Sequence, residues 1–524
     1  SVALIQNQGT QTAGRLIVAS DYLELKGGTP DGKVLSGLET QTLGLGQSGT
    51  IQVTTQQINI LDGARILTHT FSNAPAGTIT VNAARSLQTI GYVLTDPTLG
   101  SAILSTTLGS GNAGNVQIST TNLTTLNGGF IASSTFGQGT TGDVTIDAQD
   151  IQVIGMTPTF SPSSLNTISF GAGDARNITI NTQRLSVLQG GQINASTSAA
   201  GNGGSVMIRA TELIRVSDRL PGSPYPSFIA SAAETASPLL QQALRLPPSP
   251  SGASGNLTLY TNQLEVTNQG RITVRNTGSG NAGSLTIQAT AIALDTDGSI
   301  TAETASGEGG NITLQAGNHL LMRRGSILST KAENSGNGGN LTINAPVILG
   351  LENSDISANA VRGRGGNIQI TTQGIIGLQY RDRSTPESDI TASSEFGVNG
   401  SVQVNNIGVD PNAGLIELSE DLVDDNQQVA AGCVPNQSSS FVITGRGGVP
   451  QNPSDRTHAR PWSDLRAFSP TAAISSVPAP DSLVEATAWQ RNPQTGKVEL
   501  VASQIRAASA IATCSGLTAH EPSE

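Results

Sequence analysis

Bulky and reactive side chains are scarce in this 524-residue chain: aromatics make up 3% of it, and there are three methionines, two cysteines and four histidines. Globular cores use rings and methionine to fill irregular space. A core poor in both has to be narrow and lined with aliphatic side chains. Charge is thin too, with 12% charged residues, a net charge of −11 and only four lysines. No basic stripe can follow a phosphate backbone, so nucleic acid is not an expected partner. No run of 18 apolar residues occurs, so no transmembrane helix is expected. The start, Ser1-Val-Ala-Leu-Ile-Gln-Asn7, has neither a Met nor a basic n-region, and it reads as a fragment or processed piece that opens inside a repeat.

What the chain has instead is glycine, 61 residues of it, set in a repeat. An anchor residue is followed by an apolar, polar, apolar triplet thirteen times, about every 28 residues. The anchors are Gly14, Gly49, Gly77, Gly114, Gly142, Arg176, Gly204, Gly255, Gly283, Gly310, Gly339, Gly366 and Gly400. The apolar places hold Leu, Ile or Val, and the residue between them is Thr or Gln in eleven of the thirteen units. One side of each triplet therefore faces a core and the other faces water, which is strand alternation.

The unit from Gly339 shows three such pieces: Leu341-Thr-Ile343, Val347-Ile-Leu349 and Ile356-Ser-Ala358. The third piece carries its own column of Ile at 103, 131, 168, 193, 229, 272, 300, 327, 356 and 390. Three short strands per unit, joined by turns too short for a crossover helix, predict one coil of a parallel β-helix. The fold class is therefore all-β, a solenoid of about 13 coils stacked roughly 4.8 Å apart. The repeats account for residues 1–425, and 426–524 read as a C-terminal cap, a Pro/Gly-rich linker and a terminal β-hairpin around Asn492-Pro-Gln-Thr-Gly496.

Five units are longer than their neighbours, and each carries its extra residues between the second and third strands. These insertions lie near 27–34, 92–100, 156–165, 219–227 and 379–387, so they are expected to emerge along one edge. Up to Gly204 the longer units alternate with short ones, as expected if a loop that runs out and back needs two coil thicknesses. A further insertion at 237–251 has weak helical character before Pro247-Pro248.

Motifs that suggest chemistry fail in context. Gly109-Ser-Gly-Asn-Ala-Gly114 and Gly278-Ser-Gly-Asn-Ala-Gly283 have dinucleotide-binding spacing, but a strand follows each, so no helix N-terminus faces a pyrophosphate. They read as turns needing positive φ. Gly27 to Lys33 matches a P-loop up to Val34, which stands where Ser or Thr would hold magnesium. Asp295-Thr-Asp297-Gly298 opens like a calcium loop but lacks its later ligands. The densest charged cluster, Arg381, Asp382, Arg383, Glu387 and Asp389, lies within an insertion and reads as a solvated loop. No catalytic residue, cofactor or metal site is expected. Asn115, Asn177, Asn256, Asn311, Asn340 and Asn367 each follow an anchor and are expected to form a structural ladder of turn amides from coil to coil. Cys433 and Cys514, 81 residues apart, read either as a disulfide tying the last segment to the end of the repeats or as two unrelated thiols.

The Gly-Asn-Leu-Thr-Ile-Asn repeat with its Ile-Ser-Ala ladder resembles the filamentous-haemagglutinin-like exoproteins of two-partner secretion, cyanobacterial type. LSEDLVDDNQQVAAGC at 418–433, SSSFVITGRGGVPQNPSD at 438–455, Trp462-Ser-Asp-Leu-Arg466 and VEATAWQRNPQTGKVELVA at 484–502 are similar to the carboxy-terminal portion of that group, without its secretion domain. The resemblance implies export through an outer-membrane pore partner, a right-handed β-helix, a secreted or cell-surface location, and adhesion to a host, cell-surface or glycan ligand. It supplies no catalytic residues. A β-helix polysaccharide-degrading enzyme and a surface-layer component are the alternatives. The enzyme would require two carboxylates within about 10 Å in a concave groove.

Overall fold

Alternation of period two leaves one face of a segment apolar, and parallel stacking of like segments buries that face continuously. The protein does this as a parallel β-helix. The computed structural model describes residues 1–29, 32–406, 488–491 and 498–501. The chain divides into two compact units, Ser1–Leu418 and Ser419–Glu524.

In the first unit the third strands of thirteen successive coils form one parallel sheet, beginning with Val2–Asn7, Gly37–Thr42 and Arg65–Thr70, and Gln379–Tyr380 of the last insertion adds a fourteenth strand. The first and second strands form the opposing parallel sheet. They were expected to be separate, but in eight coils they run together as one strand, for example Thr50–Leu61 and Leu257–Thr267. A register shift marks the bend, as between Thr55 and Gln57 or Thr182 and Arg184. A threonine hydroxyl secures it: Thr182 Oγ1 donates to the carbonyls of Gln149 and Arg184 at 2.9 and 3.0 Å. Among the described residues there is one helix, Pro238–Leu244, in the insertion where helical character was expected. Ser237 caps it and Arg245 ends it in the left-handed conformation. No helix there is long and apolar enough to cross a membrane.

The core is a set of aliphatic columns. In one of them Ile79, Val116, Val144, Ile178, Val206 and Leu257 stand in register on successive coils, all buried. Each such side chain contributes roughly 1.5–3 kcal/mol by leaving water. The third-strand column was misread by one phase in two places. Leu165 and Leu328 point inward, while Ile168 pairs with Ser134 and Ser196 on the outer face and Ile327 pairs with Ser299 and Asp355 there. In both strands apolar residues occupy both faces, so composition alone could not fix the phase.

The anchor glycines are required, but not for positive φ. None of the glycines of the two dinucleotide-like turns has φ in that region. What forbids a side chain is the preceding coil: a Cβ at Gly114 would lie 2.0 Å from the Gly77 carbonyl oxygen, and one at Gly142 would lie 2.1 Å from that of Gly114. A buried hydroxyl nine residues earlier holds many anchors. Thr68 Oγ1 donates to the Gly77 carbonyl at 2.8 Å, and Ser105 and Ser133 accept the N–H of Gly114 and Gly142, each at 2.7 Å.

Positive φ is used between the second and third strands instead. Short turns place two residues there, as at Asp62-Gly63, Asn127-Gly128 and Gln189-Gly190, whereas Gly27, Gly91, Gly155 and Asp218 each open an insertion with a single such residue. In the second unit, Ala488–Arg491 pairs antiparallel with Val498–Val501. Cys433, Cys514, the cap and the linker lie outside the described residues.

Candidate functional site

A loop inserted into a tightly stacked coil must close its own base and must also rest on something. The insertions do both in the same way. The base of each of the first four is closed by a serine: Ser36, Ser101, Ser163 and Ser227 donate their N–H to the carbonyls of Gly27, Gly91, Gly155 and Asp218 at 2.8–2.9 Å. The hydroxyls of Ser101, Ser163 and Ser227 donate back to Ile90, Ile154 and Ser217 at 2.7–2.8 Å. The same three oxygens accept the N–H of Gly63, Gly128 and Gly190 in the preceding short turn, each at 2.9 Å.

Short antiparallel pairings shape the loops, including Tyr92–Val93 with Asp96–Gly100, Met156 with Pro162 and Arg219 with Pro226. The loops lean over the short turns between them. A Cβ at Gly63 would meet Val93, one at Gly128 would meet Thr157, and one at Gly190 would meet Met156, all within 2.6 Å. Neighbouring loops touch as well, since Ser223 Oγ lies 3.3 Å from the Met156 sulfur. This is the physical content of the alternation: each loop roofs a short turn, and glycine in that turn makes the room. The first four insertions thus build a ridge along one edge of the third-strand sheet.

The ridge then stops. The turns at 268–269, 296–297, 324–325 and 352–353 are short, each with two positive-φ residues, and the fifth insertion follows only at 377–388. Beside this gap, on the outer face of the third-strand sheet, lies a polar groove of about 710 Å³. Pro224, Tyr225 and Pro226 of the fourth insertion line one end and Ser384 of the fifth reaches the other. Along its floor Thr273, Thr301, Ser329 and Ser357 stand in register on four successive coils. The Thr273 and Thr301 hydroxyls are 2.8 Å apart.

Part of the charge in the groove is paired. Arg275 reaches Glu234 at 3.7 Å and Glu303 at 3.5 Å, and Lys331 reaches Glu333 at 3.5 Å. Two carboxylates held by one guanidinium lie within about 10 Å of each other, the separation a glycan-cleaving site requires. Burial pushes the Glu234 carboxyl above its ordinary value, Arg275 pulls it down, and Glu303 pushes it up. The side chain keeps 41% of its surface, so the effect comes from protein crowded around the groove floor and not from full enclosure. Asp355 is also pushed up, chiefly by burial, with the Asp389 N–H pulling the other way and the Asp389 charge adding to the push.

A second groove on the same face, about 380 Å³, is apolar. It lies between the second and third insertions over Leu104, Phe130, Ile168 and Phe170. Phe136 and Phe170 stack there with ring centroids 5.1 Å apart.

The six asparagines after the anchors do connect coils, though not amide to amide. Each side-chain oxygen accepts a backbone N–H one coil on: Asn115 from Asp143, Asn177 from Ser205, Asn256 from Ser284, Asn311 from Asn340, Asn340 from Asn367 and Asn367 from Ser401, at 2.8–3.2 Å. None has positive φ, so left-handed tolerance is not their role. A parallel ladder three residues earlier, through Asn112, Asp174, Asn202, Asn281 and Asn337, was not anticipated.

The cluster at 381–389 is not simply solvated. Asp389 is completely buried and pairs with Arg381, which also contacts Glu387. Asp295 of the calcium-like turn pairs with Arg324, and no group of three or more metal-ligating side chains occurs among the described residues. His69 lies on the outer sheet face, edge-on to Phe71, and burial lowers its pKa. Compared with known proteins, the chain matches no family model, no curated protein and no solved structure.

Proposed function

We propose that this chain is an adhesin-like structural protein, secreted or displayed at the cell surface, whose ridge and grooves on one sheet face meet a cell-surface or glycan ligand. The observation carrying this reading is that insertions from separate coils share one turn, roof the turns between them and flank both grooves. Loops that served only to connect strands would have no cause to share an edge, because the short two-residue turn closes the same connection in neighbouring coils. The repeat and the carboxy-terminal sequences supply the rest through their likeness to two-partner-secretion exoproteins, including the expectation of an outer-membrane pore partner.

The test is replacement of all five insertions by Asn-Gly turns, which suit two successive positive-φ positions. Adhesion to cells or immobilised glycans should fall at least tenfold while circular dichroism keeps its β signature. Unchanged adhesion in a folded variant would overturn the reading.

One observation favours a second reading, a polysaccharide-degrading enzyme: Glu234 and Glu303 face a concave groove at a suitable separation. It requires new reducing ends from a polysaccharide incubated with the purified chain, lost in Glu303→Gln.

A further inference from the structure

The polar groove beside the gap differs from the rest of the outer face. Its walls come from two insertions separated by four insertion-free coils, and its floor repeats a hydroxyl at each coil. Those four coils span roughly 19 Å. We infer that this groove is a binding site for a neutral oligosaccharide lying across the four coils, bounded by Tyr225 at one end and Ser384 at the other. The inference rests on the adhesin-like reading and names the ligand class of one site within it.

Four features of the groove select this ligand. The hydroxyl column is hydrogen-bonded in two pairs, Thr273 with Thr301 and Ser357 donating to Ser329, each at 2.8 Å, so each pair keeps one donor and further acceptor lone pairs for a polymer presenting hydroxyls at regular intervals. The Tyr225 side chain is half exposed at the lip and offers a ring face to a sugar. Charge is balanced, with Arg271, Arg275 and Lys331 against Glu234, Glu303 and Asp355. A polyanion such as a uronate chain or a nucleic acid would meet three carboxylates, and a polycation would meet three cations, so an uncharged chain loses least on entry. Finally, Arg275 lies between two carboxylates, at 3.7 Å from Glu234 and 3.5 Å from Glu303, so a donor fork stands beside acceptors, an arrangement suited to adjacent hydroxyls. A peptide strand would need a free sheet edge or apolar pockets. The floor here is a sheet face, and most of the residues lining it are polar, with Phe228 and Ile327 the large apolar ones among them.

The test uses the full chain. Neutral gluco-, manno- and galacto-oligosaccharides of four to six units are screened on an array beside uronate oligomers, with calorimetry on the hits. The wild type should bind at least one neutral oligosaccharide in the micromolar to millimolar range and prefer it to the uronates at least tenfold. Ser329→Trp, which fills the floor from an outward position, should weaken binding at least tenfold, and Arg275→Ala should do likewise. Circular dichroism confirms that each variant is folded. A variant lacking only the first three insertions keeps both groove walls and should bind the oligosaccharide as the wild type does. Loss of its cell adhesion together with retained oligosaccharide binding would separate the two proposals. Shortening of a bound neutral oligosaccharide would support the site and turn the functional reading toward cleavage. Absence of neutral-glycan binding, preference for uronates, or undiminished binding by folded Ser329→Trp would overturn the inference.

Discussion

Replacing Ile131 with Ala should lower the unfolding free energy by about 2–5 kcal/mol, measured by urea denaturation. Ile131 is completely buried and sits in register between Ile103 of the preceding coil and Leu165 of the next. Truncation removes methylene burial and leaves a cavity against both neighbours. Relaxation is restricted there, because the strand carrying Ile131 is hydrogen-bonded into the sheet on both sides. The loss falls on both coil-to-coil contacts of one unit, and in a stack stabilised through nearest neighbours this weakens coupling between the blocks on either side. The variant should therefore show a broadened or two-step transition as well as a lower midpoint. Ile103→Ala combined with Ile131→Ala should depart from additivity, since the two side chains share the cavity. The control is Ile327→Ala, whose side chain is 41% exposed and whose loss should change stability by no more than about 0.5 kcal/mol. Equal effects at Ile131 and Ile327 would mean that the strand phase described here is wrong.

That contrast also marks what the sequence could reveal. Coil period and sheet direction were legible because the same inward residues recur in the same register in coil after coil, and no other arrangement buries them all. Strand phase was legible only where the outward neighbours were polar, so Ile168 and Ile327 were drawn into a column that belongs to Leu165 and Leu328. The glycine anchors were found from repetition, yet their cause, a carbonyl of the adjacent coil about 2 Å from any added Cβ, exists only in three dimensions.

Insertion sites were read correctly from unit length. The serines that close them were missed, because serine is common in turns, although one does stand at the start of the third strand in each insertion-bearing coil. The polar groove had no linear signature: its residues come from several coils and two insertions, and each is unremarkable alone. The charged cluster at 381–389 failed for the opposite reason, since adjacency suggested a solvated loop where the fold buries one member.

Asp389 is that member, and Asp389→Asn should strip protection from the fifth insertion. The carboxylate has no exposed surface; it pairs with the Arg381 guanidinium and accepts the Thr385 N–H, with the Thr385 hydroxyl at 3.2 Å. Burial alone would raise its pKa, but the Thr385 N–H, the guanidinium and the hydroxyl together hold it below the ordinary carboxylate value. The amide of Asn preserves shape and removes charge, leaving Arg381 facing Glu387 alone across the loop. Removing one partner of a buried pair costs about 3–5 kcal/mol, and because the Arg381 side chain keeps 23% of its surface and can rehydrate, the lower end applies.

The pH dependence follows in sign. With the folded pKa below the unfolded one, the stabilisation is fully present above the unfolded value and is lost as pH falls through the folded value. Hydrogen-exchange protection over residues 377–388, taken relative to the intrinsic amide rate at each pH, should therefore be high at neutral pH in the wild type and fall on acidification below the ordinary carboxylate range. In Asp389→Asn that protection should be low at neutral pH and nearly flat through the same window. High protection retained in the variant would show that backbone pairing, and not the buried charge, holds this loop at the end of the groove. The groove's second wall would then survive loss of the ion pair, and oligosaccharide binding by the variant would be retained.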